Sequence, residues 1–169
     1  MLPVLQQILA LPAQLVVLGT GESGYEQRLQ EMAAARPDSM ALILAYNESL
    51  AHKIEAAADI FLMPSLFEPC GLNQLYSLRY GTLPVVRKVG GLADTVVDVN
   101  AQTLATRAAT GFVFRQPEPA ELLAAVQRAT ELWRDEATWR QLRRNAMGQD
   151  FSWQHSANRY LELYRSGNE

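Results

Sequence analysis

Cysteine is nearly absent from this chain of 169 residues: Cys70 stands alone. That excludes an internal disulfide and any multi-cysteine metal site, and it fits a reducing compartment. Histidine is almost as scarce. His52 and His155 are the two present, they show no metal-ligand spacing, and both read as structural or surface residues. No Ser/His/Asp set can be assembled. No run approaches the roughly 20 apolar residues that cross a bilayer, and the N-terminal residues lack the basic start of a signal peptide. The expected location is cytoplasmic, with no membrane contact. Positive charge is also in short supply, the net charge being −3. Arg140, Arg143 and Arg144 form the richest basic stretch, on a helical pattern beside acidic neighbours. This reads as a solvated face rather than a grip on nucleic acid.

What is present is enough apolar material for one compact domain: 49% of residues are hydrophobic and 20% charged. Short β-rich runs alternate with longer helical patterns. Residues 14–18, 41–45, 59–64, 83–87 and 111–114 read as strands. Residues 25–35, 48–58 and 72–80 read as the intervening helices, with Gly81 as a C-cap. Continuous apolar strands separated by helices indicate parallel crossover units buried on both faces. The fold class is therefore α/β, a Rossmann-like parallel sheet flanked by helices. Residues 119–133, 136–147 and 154–164 continue as helices, with Ser152 placed to cap the last.

In such a sheet ligands bind beyond the carboxyl ends of the strands. Four loops there carry unusual sequence. Gly19 and Gly21 follow the first strand; they allow either an ordinary tight turn or close approach of a ligand. Tyr46 follows the second, where its ring either stacks on a planar base or sits on the rim with its hydroxyl in water. The third loop, Pro64-Ser65-Leu66-Phe67-Glu68-Pro69-Cys70-Gly71-Leu72, leads into a helix that begins near Gly71. The first amides of that helix suit an anion such as a diphosphate. Glu68 lies just before them, placed either to accept from sugar hydroxyls and steady a developing positive charge, or as a solvated loop carboxylate. Cys70 has no base in reach and reads as a small packing residue. Gly90 and Gly91 follow the fourth strand and let backbone pass close to whatever the third loop holds. Asp94 and Thr95 read as helix-opening caps.

The third loop, together with Tyr80-Gly81-Thr82-Leu83-Pro84-Val85-Val86-Arg87, Gly90-Gly91-Leu92-Ala93-Asp94-Thr95-Val96 and Asp150-Phe151-Ser152-Trp153, resembles bacterial glycogen synthases and plant starch synthases. The likeness runs colinearly along essentially the whole chain. It implies a retaining glycosyltransferase of the two-domain GT-B fold, moving glucose from ADP-glucose to the non-reducing end of an α-1,4-glucan with ADP as product. By position, Glu68 matches the family's essential glutamate beside the glucose. Cys70, Gly71 and Leu72 match the segment whose backbone contacts glucose and diphosphate. Asn73 stands where relatives often carry threonine near the distal phosphate. Tyr46 matches an aromatic against adenine. Tyr76 replaces the ribose-binding glutamate of the broader GT-B group, as in glycogen synthases.

The resemblance assigns residues 1–150 to a nucleotide-sugar-binding domain truncated at its N-terminus, and residues 151–169 to a helix that crosses to an N-terminal domain. That domain's Lys-Gly-Gly motif does not appear in the sequence. Neither does the strand whose arginine and lysine clamp the diphosphate. The expected sheet lacks its first strand, the central one, unless it closes by another route. The implied partners are ADP-glucose, the glucan and the N-terminal domain, with no cofactor, no metal and no nucleic acid. Trp153, Tyr160, Leu161 and Tyr164 give the last helix a face for self-association. The alternatives are a retaining GT-B enzyme with another sugar nucleotide, and a non-catalytic interaction module.

Overall fold

A computed structural model describes residues 2–166 of the chain, apart from the side chains of Leu2, Pro3, His155 and Ser156. His155 therefore lies outside the described side chains. Strands β1 (Leu15–Leu18), β3 (Ile60–Met63), β4 (Leu83–Arg87) and β5 (Phe112–Phe114) fall within the expected apolar runs, and β2 (Met40–Ile43) starts one residue before its run. Helices α1 (Leu2–Ile8), α2 (Ser23–Ala35), α3 (Glu48–Ala57), α4 (Asn73–Tyr80), α5 (Gly90–Thr95), α6 (Ala101–Ala105), α7 (Pro119–Trp133), α8 (Glu136–Met147) and α9 (Trp153–Ser166) fill the connections.

All strand pairs are parallel, in two separate sheets: β1 with β2, and β3-β4-β5. A doubly wound sheet with strand order 3-2-1-4-5-6 would place one further strand between our β1 and β3. The pairing stops at that position, and the sheet does not close by another route among the described residues. Both pieces still share one core, because Leu15 of β1 and Ile60 and Leu62 of β3 pack against the same cluster as α1, α7 and α8. The consequence is visible in burial. The first four residues of β4, flanked on both sides, are fully buried, whereas β1 and β3 are largely half-buried and Val16 is 46% exposed.

Side-chain alternation along β4 divides the core. Leu83 and Val85 join Phe112, Leu122, Val126 and Trp139 in the main cluster. Val86 faces the other way, to Leu92, Val96 and Met63. Helix α4 ends at Gly81, whose φ of 77° is a left-handed cap that favours glycine. Two elements correct the sequence reading. Asp94 and Thr95 close the short α5 rather than open a helix, and Thr95 Oγ1 donates back to the Gly91 carbonyl at 2.6 Å. Helix α6 has too few residues to show periodicity; a reciprocal Asn100–Thr103 capping box defines it instead.

Candidate functional site

The connections at the carboxyl ends of the strands hold Gly19, Gly21, Tyr46, Glu68, Cys70, Gly71, Leu72, Gly90 and Gly91, but in different states. The segment after β1 is open: nothing stands within 4 Å of where a Cβ on Gly19 or Gly21 would lie. The Gly21 amide is already bonded to Glu26 Oε1 at 2.8 Å, so an anion arriving there would compete with a carboxylate. After β2, Asn47 caps α3 by accepting from the Leu50 amide at 2.9 Å. Tyr46 beside it is 90% exposed, its ring free on both faces to meet a partner.

The loop after β3 is an irregular segment between strand and helix, as the Pro and Gly content requires. Glu68 is half-buried within it and accepts a hydrogen bond from Ser65 Oγ at 3.3 Å. Helix α4 starts at Asn73. Among the described residues, no acceptor faces the main-chain N–H groups of Gly71, Leu72, Asn73 and Gln74, and Leu72 supplies no side-chain cap. These free donors carry the positive end of the helix dipole and lie within a few residues of the Glu68 carboxylate. Gly71 adopts φ +73°, and a Cβ there would stand 2.4 Å from Gln74 Oε1. Glycine at this position thus serves both the backbone turn and the packing of Gln74 beneath it.

Cys70 is exposed, which corrects its reading as a packing residue. Among the described side chains no histidine serves it: His52 packs edge-on against Tyr76 with ring centroids 5.1 Å apart and approaches Tyr80 Oη at 3.4 Å through Nδ1. The structure also shows what Gly90 and Gly91 accommodate. A Cβ on Gly90 would stand 1.9 Å from the Glu68 carbonyl oxygen, and one on Gly91 2.0 Å from that of Cys70. The Gly91 amide donates to Pro69 at 3.2 Å. Backbone meets backbone here, loop on loop.

Sequence reasoning passed over two buried or half-buried polar residues. Gln74 is fully buried, and its Nε2 donates to the carbonyls of Cys70 and Gly71 at 3.0 Å each. Arg87 turns from the end of β4 to the carbonyls of Ser65, at 2.8 Å, and Leu66. The available signal for Gln74 was a polar side chain four residues before Leu78 on the buried face of α4.

Leu66, Phe67 and Leu72 are 74%, 80% and 56% exposed, so the loop after β3 presents an open apolar edge. Cavities of about 370 and 210 Å³ lie elsewhere, along α8 and between β5 and α7. Among the described residues no group of three or more His, Cys, Asp or Glu side chains gathers to hold a metal, and no helix is long and apolar enough to cross a membrane.

Free helix amides beside a carboxylate-bearing loop at the carboxyl end of a parallel sheet can take an anionic ligand, and residues 2–147 match the family model "Glycosyl transferases group 1". The chain belongs to that family, and its fold is that of the GT-B glycosyltransferases. Within it, the chain is similar to glycogen synthase 1 of Methylococcus capsulatus, 56% identical over 165 residues, covering 98% of this chain and 34% of that one. A glycogen synthase of Nitrosospira multiformis is 52% identical over 166 residues, again 98% of this chain and 34% of its own length. The catalytic domain of starch synthase IV from Arabidopsis thaliana, solved with ADP and acarbose bound, superposes with a TM-score of 0.83 at 35% identity, over 97% of this chain and 34% of that one. The chain thus spans about a third of the length of the relatives it matches.

Proposed function

We propose that the chain is the donor-binding, C-terminal portion of a retaining glucan synthase that transfers glucose from ADP-glucose to the non-reducing end of an α-1,4-glucan. The carrying observation is the run of unpartnered amides from Gly71 to Gln74 directly after Glu68. The likeness to glycogen synthases and to a starch synthase solved with ADP supports the choice of donor and acceptor.

In this reading the amides take the diphosphate, with Asn73 beside the distal phosphate. Tyr46, free on both faces, stacks on adenine. Gly19 and Gly21 leave room for the nucleotide; Gly90 and Gly91 back the wall that carries glucose. Glu68 steadies the hexose as it gains oxocarbenium character, while leaving-group charge builds up against the helix dipole. No metal or cofactor is assigned a step. The reaction is cytoplasmic. A second, N-terminal domain supplies the opposite wall and the acceptor contacts, and the strand between β1 and β3 brings an arginine and a lysine to the diphosphate. Each such charged contact is worth about 1.5–3 kcal/mol, so without both, affinity falls by orders of magnitude.

Two measurements test this. Calorimetry on the isolated chain should find ADP-glucose binding far weaker than micromolar, and no glucan extension; low-micromolar binding or extension by the chain alone would refute the division of labour. In the complete protein, Glu68→Ala should lower turnover by at least about a hundredfold while leaving the fold intact, with ADP-glucose preferred over UDP-glucose in a donor screen. Wild-type turnover would remove Glu68 from the mechanism. The exposed Trp153, Tyr160, Leu161 and Tyr164 of α9 are expected to pair chains at high concentration, and a clean monomer in light scattering would exclude that.

A further inference from the structure

The Glu68 loop is held from both ends by side chains of β4 and α4. On one side, Arg87 donates through Nε to Ser65 O at 2.8 Å and through Nη2 to Leu66 O. On the other, Gln74 Nε2 donates to Cys70 O and Gly71 O at 3.0 Å each, with Thr95 Oγ1 at 3.4 Å. Between them the Gly91 amide holds Pro69 O. Five carbonyls along residues 65–71 are therefore fixed by groups on β4, α4 and α5, and Glu68 rides in the middle.

We propose that Arg87 and Gln74 are positioning residues for Glu68, setting the height and direction of its carboxylate through the backbone on either side. This rests on the donor-site reading of Glu68 given above. The physical need is plain. An irregular loop loses about 1–2 kcal/mol per residue on ordering, while a group acting on a developing charge must be held within roughly 0.5 Å. Arginine suits this role because its planar fork reaches two adjacent carbonyls at once. Gln74 suits it because a buried amide with two N–H donors serves two carbonyls without adding charge. Two of the five N–H donors of the Arg87 guanidinium are thus turned to the protein's own backbone.

The test uses Arg87→Met, Arg87→Lys and Gln74→Met. In this chain the Gly91 amide reports on the anchor, because its acceptor is Pro69 O. Arg87→Met and Gln74→Met should speed its hydrogen exchange by about tenfold or more, with the amides of α7 unchanged; Arg87→Lys, which keeps a single donor nitrogen without the planar fork, should fall between. In the complete protein the same variants should lower kcat by about tenfold or more with donor KM within about threefold, again partly restored in Arg87→Lys. Unchanged Gly91 exchange overturns the anchor. A raised donor KM with kcat intact overturns it also, since that marks a ligand contact, and so does loosened exchange with kcat untouched. Undiminished turnover in Glu68→Gln sinks the functional reading alone, because the exchange measurement does not depend on what the loop binds.

Discussion

Two glycine-bearing strand-to-helix connections, after β1 and after β4, do opposite things in this molecule. The loop after β1 leaves its glycines in open space, with no atom within 4 Å of a Cβ at Gly19, Gly21 or Gly24. The segment after β4 is pressed against the loop after β3 so closely that a Cβ at Gly90 or Gly91 would overlap a carbonyl oxygen of Glu68 or Cys70. The difference follows from the strands beneath. β3 pairs with β4, which is buried along four of its five residues, so the loops above them converge. β1 pairs only with β2, and helix α2 behind it has no buried residue. One half of the domain is tightly packed above its strands, and the other is a half-supported wall.

The largest effect that can break this comparison is at Gly91. A methyl placed 2.0 Å from the Cys70 carbonyl cannot be relieved by a side-chain rotation, because the obstacle is backbone. Gly91→Ala should therefore cost about 3–4 kcal/mol, or a fall in Tm on the order of 10 °C for a domain of this size. Gly90→Ala should match it, since its φ of +45° adds backbone strain to the overlap. Differential scanning calorimetry measures both. A drop of under about 2 °C would mean that the two loops are not in contact in solution.

The architecture of strands and long helices was legible in the sequence because burial on both faces demands continuous apolar runs, and QLVVL, ALILA, DIFLMP and LPVVR supply them. The glycine pair at Gly90 was also legible as a place of close approach, but not what approaches: glycine records the absence of a side chain and says nothing of the neighbour. Arg87 and Gln74 were illegible for a related reason. An arginine at a strand end and a glutamine on a first helical turn are ordinary surface residues by composition, and only the fold turns them onto carbonyls 21–22 and 3–4 residues away in sequence. The exposure of Cys70 was hidden likewise, since its main chain is held while its sulfur is not.

A smaller effect concerns α3, the helix that leads from β2 to β3. Glu55 on its inner face is 6% exposed, with Oε1 lacking a partner among the described residues, and burial pushes its carboxyl up to about 7 from the usual 4.5. The folded chain thus keeps a proton that the unfolded chain gives up, so this group's contribution to stability is greatest below pH 4.5. It is lost progressively as pH rises towards 7 and is level above that. At about 1.4 kcal/mol per pH unit the loss is on the order of 3–4 kcal/mol. Glu55→Gln should lie above the parent at pH 8 and lose that advantage at pH 4.5. Parallel urea titrations at the two values would show it, and identical pH dependence in parent and variant would mean that Glu55 is solvated. Loss of stability confined to the junction of the two halves would sharpen the contrast between them.

The smallest effect is the control that gives the comparison its meaning. Gly21 has no positive φ and no neighbour within 4 Å of a Cβ. Alanine there restricts the unfolded chain without straining the folded one, so Gly21→Ala should leave stability unchanged or raise it by up to about 1 kcal/mol. The contrast with Gly91 is then one of sign as well as size, for the same substitution in the same kind of loop. Any cost of Gly21→Ala should appear only when nucleotide is added to the complete protein, as weaker ADP binding at undiminished Tm, because the space the methyl takes is the ligand's and not the fold's. A fall in Tm comparable to that of Gly91→Ala would show that the loop after β1 is packed against something, and the open half of the comparison would be lost.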